Sequence, residues 1–566
     1  MAVRLPESPD AFSEAVWDDI RPYYEELVER PLDRGNVEEW LSDWSQLDSL
    51  LSEASALASF AYTCDTADPE REAAQLRLGS EIGPKAHHQR SLLQRRLVDL
   101  DYVRPGLETM VQRFANQSEI FREANVPLFA QLSKLVTEWS KVNGALTVDW
   151  NGDEKTPAQL LPYLESADRL ERERAFKLRA QAYLLKRDVL VRLFDRMYDL
   201  RQEVAHNAGF ANYRDFAHRE KNRFDYTPDD CLRFHAAVEE SVLPAVERIL
   251  ERRRRDMRLD RLRPWDTAVD PKGRPQLRPF ATADELVSRS AAVLGHVDID
   301  FRGYVNAMAD AALLDLENRK AKAPGGYSSS LNFRRMPLIF MNAVGIDDDV
   351  RTMLHEAGHA FHTFETSHLA LLFQRHPGAE MAEVASMSME LLSAPFIAAK
   401  DGGYYTEDEA RRSRTELLEG IILFFPHCAS VDAMQQWMYT NPEGRDPDAR
   451  DQRWLELRRR FEGDRVDWSG LDQERIARWY QQPHFFGYPF YYIEYGIAQL
   501  GALQVWRNSR RDHKDAVRRY RSALALGATR RLPELFAAAG ARLIFDAAGM
   551  RELVESVEEE LARLEA

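Results

Sequence analysis

The chain has 566 residues, of which 44% are hydrophobic and 30% charged, a composition that excludes a disordered or fibrous protein and a length that exceeds a single hydrophobic core. Its 76 Lys and Arg against 92 Asp and Glu leave a net charge of −16, which argues against a nucleic-acid backbone as partner. Only Cys64, Cys231 and Cys428 are present, too few and too scattered for a disulfide framework and suited to a reducing compartment.

Taken in chain order, the first 30 residues carry Glu7, Asp10, Glu14, Asp18 and Asp19 without an apolar stretch, so no signal peptide is predicted and the cytoplasm is the expected location. Ser8-Pro9, Thr156-Pro157 and Thr227-Pro228 each place a hydroxyl before a proline, the signature of a helix start. Apolar residues from Leu232 through Phe234, Val238, Val242 and Val246 to Ile249 recur at helical spacing, so the body is expected to be mainly α. The run from Arg252 to Arg255 continues that pattern and reads as a solvated helix face. Pro264, Pro271, Gly273, Pro275 and Pro279 break the chain between Leu262 and Phe280 into a long connection. A second loop is expected from Lys320 to Asn332, with Pro324-Gly325-Gly326 and three serines, and Pro337 to Met341 then has strand character. Apolar stretches such as Gly420 to Pro426 are far short of a membrane span, so no membrane partner is expected.

The chemistry concentrates in His355-Glu356-Ala357-Gly358-His359. Gly345 to Asp349 supplies capping and acidic first-turn residues, and the apolar period from Val350 to Phe364 puts the His pair on a helix. Four residues turn a helix by about 400°, so His355 and His359 stand about 40° apart on one face and can reach one ion. Glu356 is rotated by about 100° from His355 and can stand beside the ion without ligating it. A catalytic zinc needs a third protein ligand. His362 is placed almost two turns from His355 and reads as a packing or supporting residue. A third His at 365 is excluded by Glu365. The better source is the helical run from Gly378 to Lys400, where Glu383 and Glu380 compete. Small residues on both runs, Ala357, Gly358 and Ala360 against Ala379, Ala382, Ala385 and Ser386, allow the two helices a close approach.

These residues resemble the thimet oligopeptidase and oligoendopeptidase F family of zinc peptidases, and most nearly its oligoendopeptidase F branch. The likeness runs from about Phe114 onward. His355 to His362 is similar to the family's zinc helix. Ala382-Glu383-Val384-Ala385-Ser386, with Glu390 seven residues on, resembles the segment of its third ligand and favours Glu383 over Glu380. His484-Phe485-Phe486-Gly487-Tyr488, followed by Tyr491, Tyr492 and Tyr495, resembles its substrate loop, although many relatives carry two glycines where this chain has Phe486-Gly487.

The resemblance implies a large helical two-lobed body with a deep central channel and a small β element beside the zinc helix. Residues 1–200 are expected to form an N-terminal helical lobe and residues 201–566 the catalytic domain. It also implies one Zn2+ per chain on His355, His359 and Glu383, with Glu356 as general base to a zinc-bound water. Tyr495 is the leading donor to the carbonyl oxygen, assisted by Tyr488 and His484. The strand at Leu338 to Asn342 is a candidate for pairing with extended substrate backbone. The expected activity is endopeptidase cleavage of short peptides. A carboxypeptidase or dipeptidyl carboxypeptidase on the same scaffold is the nearest rival, and a non-catalytic peptide-binding protein the rival from another class. Pro489, disfavouring helix before it, should leave Tyr488 in a loop and Tyr495 on the helix that follows.

Overall fold

The helical spacing in the sequence becomes twenty-three α-helices and five short strands in a computed structural model that describes residues 4–565. Helix of all kinds, 3-10 and π turns included, accounts for 69% of the chain, so the mainly-α expectation holds. Two units alternate along the sequence. The first comprises the stretch up to Glu119, Leu277–Arg414 and Ala498–Leu543; the second comprises Ile120–Gln276, Thr415–Ile497 and the chain from Ile544 onward. Residue 200, the expected lobe boundary, falls within the Arg187–Asn207 helix of the second unit.

In the second unit, strands β1 (Val148–Trp150) and β2 (Asp153–Lys155) form a hairpin. Asn151 and Gly152 turn it with φ of 60° and 89°, the left-handed pair that matches hairpin twist. Trp150 packs with Leu160 and Ala175. Elsewhere in this unit Trp139 and Trp479 stack on Phe486 with interplanar angles of 12° and 5°. Thr227 caps the Pro228–Ser241 helix as expected. Ser8-Pro9 and Thr156-Pro157, however, lead into 3-10 rather than α-helical turns, Pro9–Phe12 and Ala158–Glu165. The Arg252 to Arg255 run lies on the Leu243–Asp256 helix. Its Arg252 and Arg254 pair with Glu419 and Glu251, so the run is an ion-paired helix face.

The first unit packs Trp40, Trp44, Leu47 and Leu51 of the Val37–Cys64 helix into a core with Phe114 and Leu371. Beside it lies a three-stranded sheet in the order β3 (Leu314–Glu317), β5 (Met336–Ala343), β4 (Tyr327–Leu331). β5 runs parallel to β3 and antiparallel to β4. Its residues Pro337 to Met341 are buried without alternation, as a strand covered on both faces must be. Two expectations change here. The serines of the expected loop, Ser328 to Ser330, form strand β4. β5 is the central strand: Met336 to Phe340 pair with β4, and Ile339, Phe340 and Ala343 with β3, so at Ile339 and Phe340 its backbone is not open to a further strand.

The Asp347–Glu365 helix follows β5 and crosses the Ala379–Ser393 helix. Gly358 makes the crossing possible: a Cβ there would lie 2.5 Å from Ser386 Cα and 2.6 Å from the Ala385 carbonyl oxygen. Both obstacles are backbone and cannot rotate away. Gly358→Ala should therefore destabilise the fold by about 1–3 kcal/mol, the usual cost of overpacking. An unchanged thermal unfolding midpoint in that variant would show that the helices are not in such close contact.

Among the described residues one helix, Glu407–Thr440, is long and apolar enough over one window to cross a membrane. That window is 67% buried within the protein, which suits a core helix.

Candidate metal centre

The site is built on the first unit, and its foundation is a cap. Asp349 Oδ2 accepts backbone N–H bonds from Val344 (2.8 Å), Gly345 (2.8 Å) and Ile346 (2.9 Å), satisfying donors at the approach to the helix. Gly345 has φ of 86°, and a Cβ there would lie 2.9 Å from the Phe280 carbonyl oxygen, so the turn into the helix requires glycine. Asp347, the first helical residue, accepts from the hydroxyls of Tyr405 at 2.6 Å and Ser413 at 2.7 Å.

Two turns into the helix the imidazoles of His355 and His359 stand with centroids 5.0 Å apart and planes at 81°. The facing carboxylate is Glu383, whose Oε2 lies 3.5 Å from His355 Nε2 and 3.8 Å from His359 Nε2. One donor atom from each of the three residues falls within 4.8 Å of the others. Glu380, one turn earlier on the same helix, and His362 are buried and lie outside the group. His362 is enclosed so fully that burial pushes its pKa down to about 3. It is packed in the interior, apart from the three donor residues.

The donor set fits a zinc ion. Zinc takes two imidazole nitrogens and a carboxylate oxygen at about 2.0–2.2 Å in tetrahedral geometry, which separates neighbouring donors by about 3.4 Å. The two Nε2 to Oε2 separations are close to that value. His355 Nδ1 lies 2.7 Å from Glu390 Oε1. A carboxylate accepts only, so Nδ1 carries the proton and Nε2 is left as the ligating atom. Glu390 stands in the sequence motif beside Glu383 without an assigned task, and the structure sets it against His355. The signal was there: seven residues are nearly two helical turns, which sets Glu390 on the face of Glu383.

The electrostatics are those of a cation site. Burial alone would lower the pKa of His355, but hydrogen bonds to Glu383 and Glu390 outweigh it and hold the group well above its usual range. His359 is pushed down to about 4, chiefly by burial. The two carboxylates thus favour the protonated form of His355, and a metal ion bound at Nε2 would compete with that proton. Metal uptake should therefore release protons, and affinity should fall as the pH is lowered. Calorimetric titration in buffers of different ionisation enthalpy measures the released proton directly; an apparent enthalpy independent of buffer would contradict this account.

Glu356 lies on the same helix, outside the ligand group, and is buried. Burial pushes its pKa up to about 7; His355 opposes that shift, Glu383 adds to it, and a bond from the backbone N–H of Ser328 in β4 also opposes it. The carboxylate is therefore poised to gain or lose a proton near neutral pH, and β4 holds it from the side.

His484, Tyr488 and Tyr495 belong to the second unit, where they come together. The His484 ring centroid lies 6.0 Å from that of Tyr488 and 5.9 Å from that of Tyr495. Tyr488 is 61% exposed in the turn after the short Pro483–Phe486 helix, and Tyr495 is in the Tyr492–Ser509 helix, as expected. Pro489 does not open that helix, because Phe490 adopts φ of 60° and delays the first turn to Tyr492. Phe485, Phe486 and Phe490 are buried, which accords with a packing role. Arg201 pins this loop by donating to the Phe485 carbonyl at 2.9 Å and to that of Phe486.

The family model described as Peptidase family M3 matches residues 162–555. The oligopeptidase PepF of Bacillus subtilis (strain 168) is 23% identical over 299 residues, 51% of this chain but only 42% of that protein. The oligoendopeptidase F homolog of Borreliella burgdorferi is 22% identical over 427 residues, covering 73% of this chain and 70% of its own. Among solved structures, PZ peptidase A with an inhibitor superposes with a TM-score of 0.88 at 25% identity, covering 98% of this chain and 99% of its own.

Proposed function

Since this chain belongs to peptidase family M3 and is a metallopeptidase, we propose that it is a zinc-dependent endopeptidase cleaving internal bonds of short, unstructured peptides. The observation that carries this reading is the meeting of His355, His359 and Glu383, with Glu390 behind His355 and Glu356 beside the group. Zinc bound there would act as a Lewis acid and lower the pKa of a water nucleophile. Glu356 accepts the proton of that water and passes it to the leaving amine, a task suited to a carboxyl raised by burial toward neutrality. Glu390 keeps the His355 proton on Nδ1 and so fixes the ring. His484, Tyr488 and Tyr495 are proposed to donate hydrogen bonds to the substrate carbonyl, on the resemblance of their loop. A neutral phenol or imidazole N–H stabilises charge developing on that oxygen.

The names of the relatives, oligopeptidase and oligoendopeptidase F, support short peptides as substrates and internal bonds as the point of cleavage. A graded peptide series beside a folded protein and its unfolded form, with products read by mass spectrometry, tests the size limit. Internal cleavage of peptides up to roughly twenty residues, which span at most about 70 Å extended, is expected, with the folded protein untouched. Release of only C-terminal residues or dipeptides would favour the carboxypeptidase readings, and efficient cutting of the long unfolded chain would overturn the oligopeptide limit.

A further inference from the structure

Behind His484, within the second unit, a line of side-chain hydrogen bonds runs back to buried ion pairs. Gln482 Nε2 lies 2.6 Å from His484 Nδ1. Gln482 Oε1 lies 3.2 Å from His427 Nε2, and His427 Nδ1 lies 2.9 Å from Arg458 Nη1. Arg458, with 3% of its side chain exposed, pairs with Glu462, which also binds Arg475 and Arg478, each at 3.0 Å. The parts come from three helices, Glu407–Thr440, Pro447–Glu462 and Asp472–Tyr480, and from the residue that opens Pro483–Phe486.

This line has a direction. A guanidinium can only donate, so the nitrogen of His427 that faces Arg458 must accept. His427 therefore has no proton on Nδ1, is neutral, and carries its single N–H on Nε2. Burial, with Arg458 close by, holds the His427 pKa well below its usual range, in agreement. That N–H must find an acceptor, which orients the Gln482 amide with its oxygen toward His427. The amide NH2 then faces His484 and donates to Nδ1. His484, whose pKa burial pushes down to about 4, is neutral. With Nδ1 accepting, its proton sits on Nε2.

We infer that Gln482, His427 and Arg458 are positioning residues that hold His484 as the neutral Nε2–H tautomer, the form that can donate a hydrogen bond to a substrate carbonyl oxygen. The ion pairs at Glu462 anchor the far end, so the direction is set by a guanidinium that stays protonated at neutral pH. The inference rests on the reading of His484 as a substrate-binding group, and the test separates the two.

The full-length enzyme labelled with ¹⁵N-histidine gives the tautomer directly in long-range ¹H–¹⁵N correlation spectra, with the His484 signals identified by their loss in His484→Phe. The wild type should show a bare Nδ1 and a protonated Nε2 at His484. Gln482→Glu replaces a donor by a group that only accepts, so it should draw a proton onto His484 Nδ1. Gln482→Leu, which offers neither, should leave a mixture of tautomers and serves as a second variant if the first unfolds. A protonated Nδ1 in wild type, or an unaltered His484 pattern in Gln482→Glu, would overturn the relay. In turnover, Gln482→Glu should move toward the loss of about 10²-fold expected for one absent oxyanion donor, while metal content stays unchanged. Full turnover in His484→Phe with the tautomers as stated would contradict the role of His484 in catalysis and leave the relay standing.

Discussion

Glu356→Gln is expected to retain the fold and the bound metal and to lose about 10²- to 10⁴-fold in turnover, the range of a missing general base. The substitution is close to isosteric. Gln can still accept the Ser328 backbone N–H that holds Glu356 against β4. Neither His355, His359 nor Glu383 depends on it as a ligand. What disappears is the capacity to take a proton, which an amide lacks at any accessible pH. Steady-state cleavage of a quenched peptide, with metal content measured on the same preparation, separates loss of base from loss of metal. Turnover within about tenfold of wild type, with metal retained, would move the base elsewhere, since no general-base role of this size could then be ascribed to Glu356.

Glu383→Ala should lose the metal and with it the activity, whereas Glu380→Ala should keep both. Glu383 Oε2 faces both imidazoles at 3.5 and 3.8 Å, and its removal leaves two ligands where a catalytic zinc uses three. Glu380, though also buried, stands outside the ligand group. Between these extremes Glu390→Gln should weaken metal binding by about 10- to 100-fold, as loss of an orienting carboxylate does. Metal analysis of the dialysed variants reads all three. Retention of zinc by Glu383→Ala together with its loss from Glu380→Ala would reverse the ligand assignment.

Much of this site was legible before the structure. The spacing of His355 and His359 sets them on one helix face, and the acidic residues ahead of them sit where a helix start needs acceptors; Asp349 fills that role with its three backbone bonds. Gly358 and Ser386 announced the close helix approach through their small size, and the Cβ distances at Gly358 give it a magnitude. Choosing Glu383 over Glu380 was beyond spacing alone, because both lie on one helix and only the crossing geometry decides which carboxylate meets the imidazoles. Glu390 was visible in the sequence but without a stated task, since its partner His355 lies on a different helix.

Strand order was illegible for a related reason. Pro337 to Met341 has a strand's composition, yet nothing local says whether it lies at an edge or in the middle, and Ser328 to Ser330 pair with it despite a serine-rich sequence that suits a loop. The first unit also gathers segments far apart in sequence, including residues after Ala498 that return to it. Tyr520 donates to the Ala385 carbonyl at 2.7 Å, a long-range bond behind the Glu383 segment that no local pattern predicts. The hydrogen bonds from Gln482 to Arg458 are of the same kind: each residue alone reads as an ordinary polar side chain, and only their sequence of donors and acceptors carries meaning.

The most direct test of the account is cleavage of a quenched, unstructured peptide by the purified protein before chelation, after removal of metal, and after addition of zinc in stoichiometric amount. Internal cleavage that vanishes with the metal and returns with zinc, but does not return in Glu383→Ala, is the result predicted from the His355, His359 and Glu383 group. Cleavage that persists at full rate in protein shown to be metal-free, or no cleavage by protein carrying one zinc per chain, would contradict it.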